Sequence, residues 1–268
     1  MFTPYRFPDY QVAGDADTTV FLLHGAYGSK DYFRAQIQTL VGAGLRVVAW
    51  DAPGYGISPL PPEGLSIERL AETAACLIDR EGSKTNVVLG HSMGGIITPA
   101  VYAARPDKVH GIVISATAGS FSQKSARDQE TFLAERVEPL RAGNTFRDTA
   151  GAVIDSMFAP TSRGPMVDLV REVALATPAD TFCAAITAIT RYAGEPNLQN
   201  VKVPALLLAG EFDQVGRPQS MQQVQQQFMP HAEFACLPGA AHYAFAEQHA
   251  LFNEHLLRFI RQRVLAQA

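Results

Sequence analysis

The chain is poor in cysteine. Its three cysteines, Cys76, Cys183 and Cys236, are scattered over 268 residues, and none belongs to a C-x-x-C pair. An odd, dispersed set excludes a disulfide framework and a zinc knuckle, and reads as small buried apolar residues in a reducing compartment. Runs of lysine or arginine are also missing: 22 basic residues against 26 acidic ones leave a net charge of −4. A nucleic-acid groove and a polybasic membrane patch are therefore not expected. No window approaches the roughly 20 apolar residues of a membrane span. The first residues, MFTPYRFPDYQVAGD, hold no basic region leading into an apolar stretch, so no secretory signal is expected. His, Cys, Asp and Glu nowhere cluster at metal-ligand spacing, so neither a metal nor an organic cofactor is implied. The expectation is a soluble, cytoplasmic protein with no nucleic-acid or membrane partner, monomeric or homodimeric.

What is present is a substantial apolar fraction, 47% of residues. The length suits one core with an insertion better than two full domains. Short apolar runs bounded by turn residues fall at 18–24, 45–51, 85–91, 109–116, 203–210 and 231–237. They are continuous rather than alternating, as strands buried on both faces of a parallel sheet are. Helical patterns lie at 66–81, with Ser66 as N-cap and Ile67, Leu70, Ala74, Leu77 and Ile78 on one stripe, and at 94–105 and 246–267. Strand–helix alternation predicts a mostly parallel, doubly wound α/β sheet.

Between about 119 and 198 the alternation stops. Four helical patterns follow, near 127–141, 145–158, 164–176 and 179–192, separated by Gly143-Asn144, Pro160, Gly164-Pro165 and Pro178. The chain thus divides into a first core part, 1–118, a four-helix insertion, 119–198, and a second core part, 199–268. Insertions of this kind cover the carboxyl ends of the strands, where open α/β sheets bind ligands.

The densest signal is Gly90-His91-Ser92-Met93-Gly94, with Gly95 behind it. It follows an apolar strand and opens a helix. A G-x-S-x-G pentapeptide in that context is a nucleophile elbow: the turn is sharp, its neighbours must be small, and the serine Oγ stands clear at a helix N-terminus. Pro99, more than one turn into that helix, removes the N–H due to the Gly95 carbonyl, and a local bend or a bound water is expected there.

A serine nucleophile needs a base, and the base an orienting carboxylate. Of seven histidines, only His242, in LPGAAHYAF, lies in a loop just after the final strand, in the order serine, acid, histidine. The acid should end a strand between them. The strand 203–210 runs into AGEFDQVGRP, which offers Asp213, favoured, and Glu211, closer to the strand end. The stretch ATAGS after 109–116 offers none. Oxyanion donors should be the Met93 amide and an amide of the loop LLHGAYGS, which nominates Ala26. Tyr27, Val215 and Tyr243 flank these positions as pocket-lining candidates.

Together, His24-Gly25, DAPGYGIS (51–58), GHSMGG (90–95), AGEFD (209–213) and GAAHY (239–243) resemble the α/β-hydrolase superfamily over nearly the whole chain. The four-helix insertion and NLQNVKVPALLLAGEFD look most like 3-oxoadipate enol-lactonase-like hydrolases and the related small esterases. The resemblance implies Ser92 as nucleophile, His242 as base, Asp213 as orienter, the Ala26 and Met93 amides as oxyanion hole, and the insertion as a cap. It implies a serine hydrolase acting on a small ester or lactone with water. A serine rather than an aspartate at position 92 argues against haloalkane dehalogenases and epoxide hydrolases. Ring-cleavage C–C hydrolases often carry Asn where this chain has His91, which leaves C–C hydrolysis as an alternative. A non-catalytic ligand receptor and a cofactor-free perhydrolase on the same fold are the others. DAPGYGIS is expected to shape a turn near the site.

Overall fold

In the computed structural model, which describes residues 2–117, 125–142 and 146–267, a seven-stranded sheet runs in the order β1-β3-β2-β4-β5-β6-β7. Its strands are β1 (Asp9–Ala13), β2 (Thr18–Leu23), β3 (Arg46–Asp51), β4 (Thr85–His91), β5 (Gly111–Ser115), β6 (Ala205–Gly210) and β7 (Glu233–Leu237). β2, β4, β5 and β6 are buried from end to end, because helices cover both faces and every side chain meets one of them. All pairs are parallel except β1 with β3, which runs antiparallel from Asp9↔Asp51 to Ala13↔Val47. β1 is an edge strand absent from the sequence reading. DYQVA is short and mostly half-buried, without the apolar run that marks its neighbours.

α1 (Arg34–Gly42) and α2 (Ile67–Glu81) flank the first half of the sheet. The Ser66 Oγ accepts the Arg69 amide at 3.3 Å, the N-cap that the sequence suggested. The stripe Ile67, Leu70, Ala74, Leu77 and Ile78 is fully buried, and each large aliphatic member contributes about 1.5–3 kcal/mol. α3 (Met93–Ala104) carries Pro99 inside it and continues past it.

Between β5 and β6 lie α4 (Ala126–Arg141), α5 (Phe146–Ser156), α6 (Pro165–Leu175), α7 (Ala179–Arg191) and a one-turn α8 (Glu195–Gln199). The described insertion therefore has five helices rather than four: Pro196, at the first turn, starts a helix too short to show a stripe. The 118/119 boundary and the Gly143-Asn144 turn lie outside the described residues, as does most of ATAGS. The insertion touches the loops at the carboxyl ends of the strands. The Thr181 hydroxyl donates to the Gly54 carbonyl at 2.7 Å, and the His242 amide donates to the Met157 carbonyl at 2.9 Å.

After β6 come α9 (Pro218–Phe228) and, beyond β7, α10 (Ala244–Glu247) and α11 (His249–Phe259). The single helix expected over 246–267 is broken: Gln248 leaves helical dihedrals, and the chain beyond Phe259 winds first as a π-turn over Ile260–Val264 and then as a 3₁₀ turn. The strand order reverses at β2, with β3 on one side and β4 on the other. Ligands of open α/β sheets bind at such a switch point. The loops that follow β2 and β4 are the ones that carry Ala26 and Ser92.

Candidate active site

Ser92 sits between the end of β4 and the start of α3 with φ 54° and ψ −115°. This is one of two non-glycine residues with positive φ among the described residues, and such backbone persists only where its surroundings enforce it. Here they do. The Ser92 amide donates to the Ser115 carbonyl at 2.8 Å, and the Ser92 carbonyl accepts the first helical bond, from Ile96. A Cβ on Gly90 would overlap the Gly94 carbonyl, and one on Gly94 would overlap the Leu23 carbonyl. Both glycines are dictated by close backbone approach. Ser92 is half-buried, and its Oγ makes no hydrogen bond among the described residues. Bonds of this kind are often long in unliganded sites and tighten with substrate.

His242 and Asp213 are brought together from the loops after β7 and β6. The His242 Nδ1 lies 3.0 Å from Asp213 Oδ2, and both residues are buried. The second carboxylate oxygen accepts the Val215 amide at 2.7 Å and the Gly216 amide at 3.0 Å. Burial alone would raise the Asp213 pKa, but the His242 charge, its hydrogen bond and the two amides outweigh burial and hold the pKa below the usual carboxylate value. An acceptor at Oδ2 assigns the proton of a neutral His242 to Nδ1 and frees Nε2 as a base. Glu211 points elsewhere: it accepts the Gly239 amide at 2.9 Å.

The loop after β2 runs beside the elbow, so close that a Cβ on Gly25 would lie 3.0 Å from Ser92 Cβ. The stretch 51–58 fastens it. The Ala52 amide donates to His24 Nε2 at 2.9 Å, and Tyr55 Oη donates to the Ala26 carbonyl at 3.0 Å. Lys30 binds Asp51 through both its amide and its ammonium. Because His24 Nε2 accepts, its proton is on Nδ1, which donates to the Gly25 carbonyl at 2.8 Å. The Gly25–Ala26 peptide is trans, so its Ala26 N–H points away from that carbonyl. The tautomer of His24 thereby aims the amide nominated from the sequence. Met93 and Ala26 are both buried. The sequence reading treated 51–58 as a turn and missed these bonds, which link residues about 25 positions apart.

Tyr27 packs its ring on Phe182 (centroids 4.7 Å) and near Phe146 (5.9 Å), both from the insertion. Burial pushes its phenol up to about 12. Tyr243 is buried edge-on to His242 and donates to Met157 Sδ. Val215 is 54% exposed and contributes its amide to Asp213 rather than a buried wall. His91 went unassigned in the sequence. Its ring lies against those of His242 (4.9 Å), Phe245 (4.8 Å) and Tyr243 (5.6 Å). Its buried Nε2 has no hydrogen-bond partner among the described residues. Among the described residues no three His, Cys, Asp or Glu side chains form a group that could hold a metal, and no single helix is long and apolar enough to cross a membrane.

A mostly parallel sheet with its elbow at the switch point and a helical insertion after β5 defines the α/β-hydrolase fold. The model of the alpha/beta hydrolase family matches residues 20–255, and the chain belongs to that family. A putative carbamate hydrolase RutD of Azorhizobium caulinodans is 26% identical over 258 residues, covering 93% of each protein. Among solved structures, a thermophilic esterase from Thermogutta terrifontis superposes with a TM-score of 0.84 at 22% identity, over 96% of this chain and 93% of that one. The enol-lactonase of Burkholderia xenovorans gives 0.81 at 22% identity, over 95% and 96%. These structural likenesses are likenesses of fold.

Proposed function

We propose that this α/β hydrolase is a serine hydrolase that cleaves a carboxylic ester or lactone of a small substrate through an acyl-enzyme. The observation that carries the reading is the buried His242–Asp213 pair at 3.0 Å, whose imidazole lies 4.9 Å from the ring of His91, the residue before a strained Ser92 at a helix N-terminus. Names among the relatives and neighbours (a carbamate hydrolase, an esterase, an enol-lactonase) support acyl chemistry on small molecules.

Ser92 Oγ attacks the carbonyl while His242 Nε2 takes its proton. Asp213 holds the ring in the tautomer that leaves Nε2 free and stabilises the imidazolium that forms. The oxyanion of the tetrahedral intermediate rests on the Ala26 and Met93 amides, aimed before the reaction by His24 and by the start of α3. His242 then protonates the departing alkoxide and activates the water that releases the acid. Residues 119–198 act as the cap, and the aromatic cluster of Tyr27, Phe146 and Phe182, where the insertion meets the loop after β2, suits an apolar acyl group.

A small fluorophosphonate tests this without knowledge of the substrate. Intact mass should show a single adduct on the wild type and none on Ser92→Ala. A wild-type protein that stays unlabelled, or a Ser92→Ala variant that labels equally, would overturn the proposal.

A further inference from the structure

The loop that presents His242 has few bonds of its own. Three consecutive amides, those of Ala241, His242 and Tyr243, all point out of it. The His242 amide goes to the Met157 carbonyl of the helical insertion. The other two converge on one oxygen: Glu247 Oε1 accepts from the Ala241 amide at 3.0 Å and from the Tyr243 amide at 3.1 Å. Glu247 ends α10. Its other oxygen faces the opposite way. Oε2 accepts the Ala159 amide at 2.8 Å and the Ser162 hydroxyl, both in the segment that joins α5 to α6.

One carboxylate thus clasps the His242 loop to the insertion, while on its other side the loop is tied to the segment after β6, where the Phe212 amide donates to the Ala240 carbonyl at 2.8 Å. Its chemistry is specified by its partners. Three of the four groups that face it are backbone amides, which only donate. Both oxygens must therefore accept, which a carboxylate does and an amide side chain does not. Met157 Sδ and the Phe158 ring, in the same segment, lie against Tyr243, the latter with centroids 4.8 Å apart. The clasp is reinforced by packing on the residue next to His242.

We propose that Glu247 is a positioning residue that ties the His242 loop to the 157–162 segment of the insertion, so that the imidazole is placed over Ser92 only when the insertion is docked. Substrate entry that lifts this segment would loosen the base, and closure over bound substrate would restore it. The inference rests on the reading of His242 as the base for Ser92. It acts through His242 and touches no reacting atom.

The rate of fluorophosphonate labelling reads the activation of Ser92 directly. It would be measured across pH for the wild type, Glu247→Gln, Ser162→Ala and the double variant, with circular dichroism and thermal melts beside it. Gln keeps the size and one acceptor but sets an NH₂ against at least one amide N–H. A displacement of about 1 Å costs on the order of a hundredfold, so labelling of folded Glu247→Gln should slow at least about tenfold. Ser162→Ala should slow it by a smaller factor with its melt little changed, and the double variant should be no slower than Glu247→Gln, because one clasp is opened in both.

Wild-type labelling at Ser92 with Glu247→Gln within about twofold of it, or effects of the two substitutions that multiply, would overturn the clasp and leave the serine mechanism standing. If Glu247→Gln does not fold, Ser162→Ala decides: an unchanged labelling rate overturns the clasp, and a slowed one with an unchanged melt supports it. A wild type that does not label at Ser92 overturns the serine mechanism, and the clasp with it.

Discussion

His24 Nε2 accepts the amide of Ala52 at 2.9 Å, and this bond sets the tautomer of a buried ring whose Nδ1 holds the Gly25 carbonyl. The bond joins the end of β2 to the turn after β3, and it makes the direction of the Ala26 N–H a consequence of two loops rather than one.

His24→Phe keeps the bulk of the ring, removes both bonds and lets the Gly25–Ala26 peptide turn. Losing an oxyanion donor costs about 10²–10³ in turnover. The expected result is a fall of that order in the rate of acyl-enzyme formation, with fluorophosphonate labelling slowed in parallel and the fold retained by circular dichroism. Full activity in this variant would mean that Ala26 is aimed by Tyr55 and Gly25 alone.

Asp213 and Glu211 are separated by the same logic. Asp213→Asn keeps an acceptor for the Val215 and Gly216 amides but turns an NH₂ toward His242. The imidazole then carries its proton on the wrong nitrogen, a change that costs roughly 10⁴ in the serine-protease case. Hydrolysis of a generic ester should fall by about that factor in Asp213→Asn and by less than about threefold in Glu211→Gln, since Glu211 only accepts the Gly239 amide. Equal losses in both would place the orienting acid wrongly.

The strain at Ser92 has its own signature. At φ 54° a side chain of any kind is unfavourable, and such residues cost of order 1–3 kcal/mol. Glycine relieves this at an entropic cost of about 0.5–1 kcal/mol. Ser92→Gly should therefore equal or exceed Ser92→Ala in stability, by about 1 kcal/mol, although both remove the hydroxyl. Denaturant melts of the two variants decide it. A Gly variant less stable than the Ala variant would show that the elbow stores no strain.

The strands of the sheet interior were legible because burial on both faces demands an unbroken apolar run, as in TTVFLL and ALLLAG. Edge strand β1 was not, because DYQVA answers to a half-exposed surface. α1 and α9 were missed for a related reason. In PQSMQQVQQQF only Met221 and Val224 are buried, too few for a stripe, and in α1 the buried Gln36 is held by the Phe245 carbonyl and Asn253. At the candidate site, motif and chain order pointed to Ser92, Asp213 and His242, and the structure pairs the last two at 3.0 Å. Glu247 and the tautomer of His24 were not legible. Their partners are backbone amides up to about 90 positions away, and a backbone amide leaves no mark in the sequence.

Acid acts on the fold through two buried histidines. Burial lowers the pKa of both His24 and His91; at His91 the His242 and His24 charges lower it further, and at His24 the Gly25 hydrogen bond and Asp51 oppose burial without reversing it. Both rings are thus neutral in the fold below the pH at which they would protonate in the unfolded chain, near 6.5. The unfolded state then binds the extra protons, so stability is complete above that pH and declines as pH falls below it, with a slope of up to ~1.4 kcal/mol per pH unit for each proton. Asp213 adds to the loss only at lower pH, beneath its unfolded value of 3.8. His91→Phe keeps the ring among Tyr32, Tyr243 and Phe245 and removes one titrating group. Urea unfolding at intervals from pH 7.5 to 5 should show a shallower decline for His91→Phe than for the wild type. Parallel curves would mean that His91 meets acid no differently folded than unfolded.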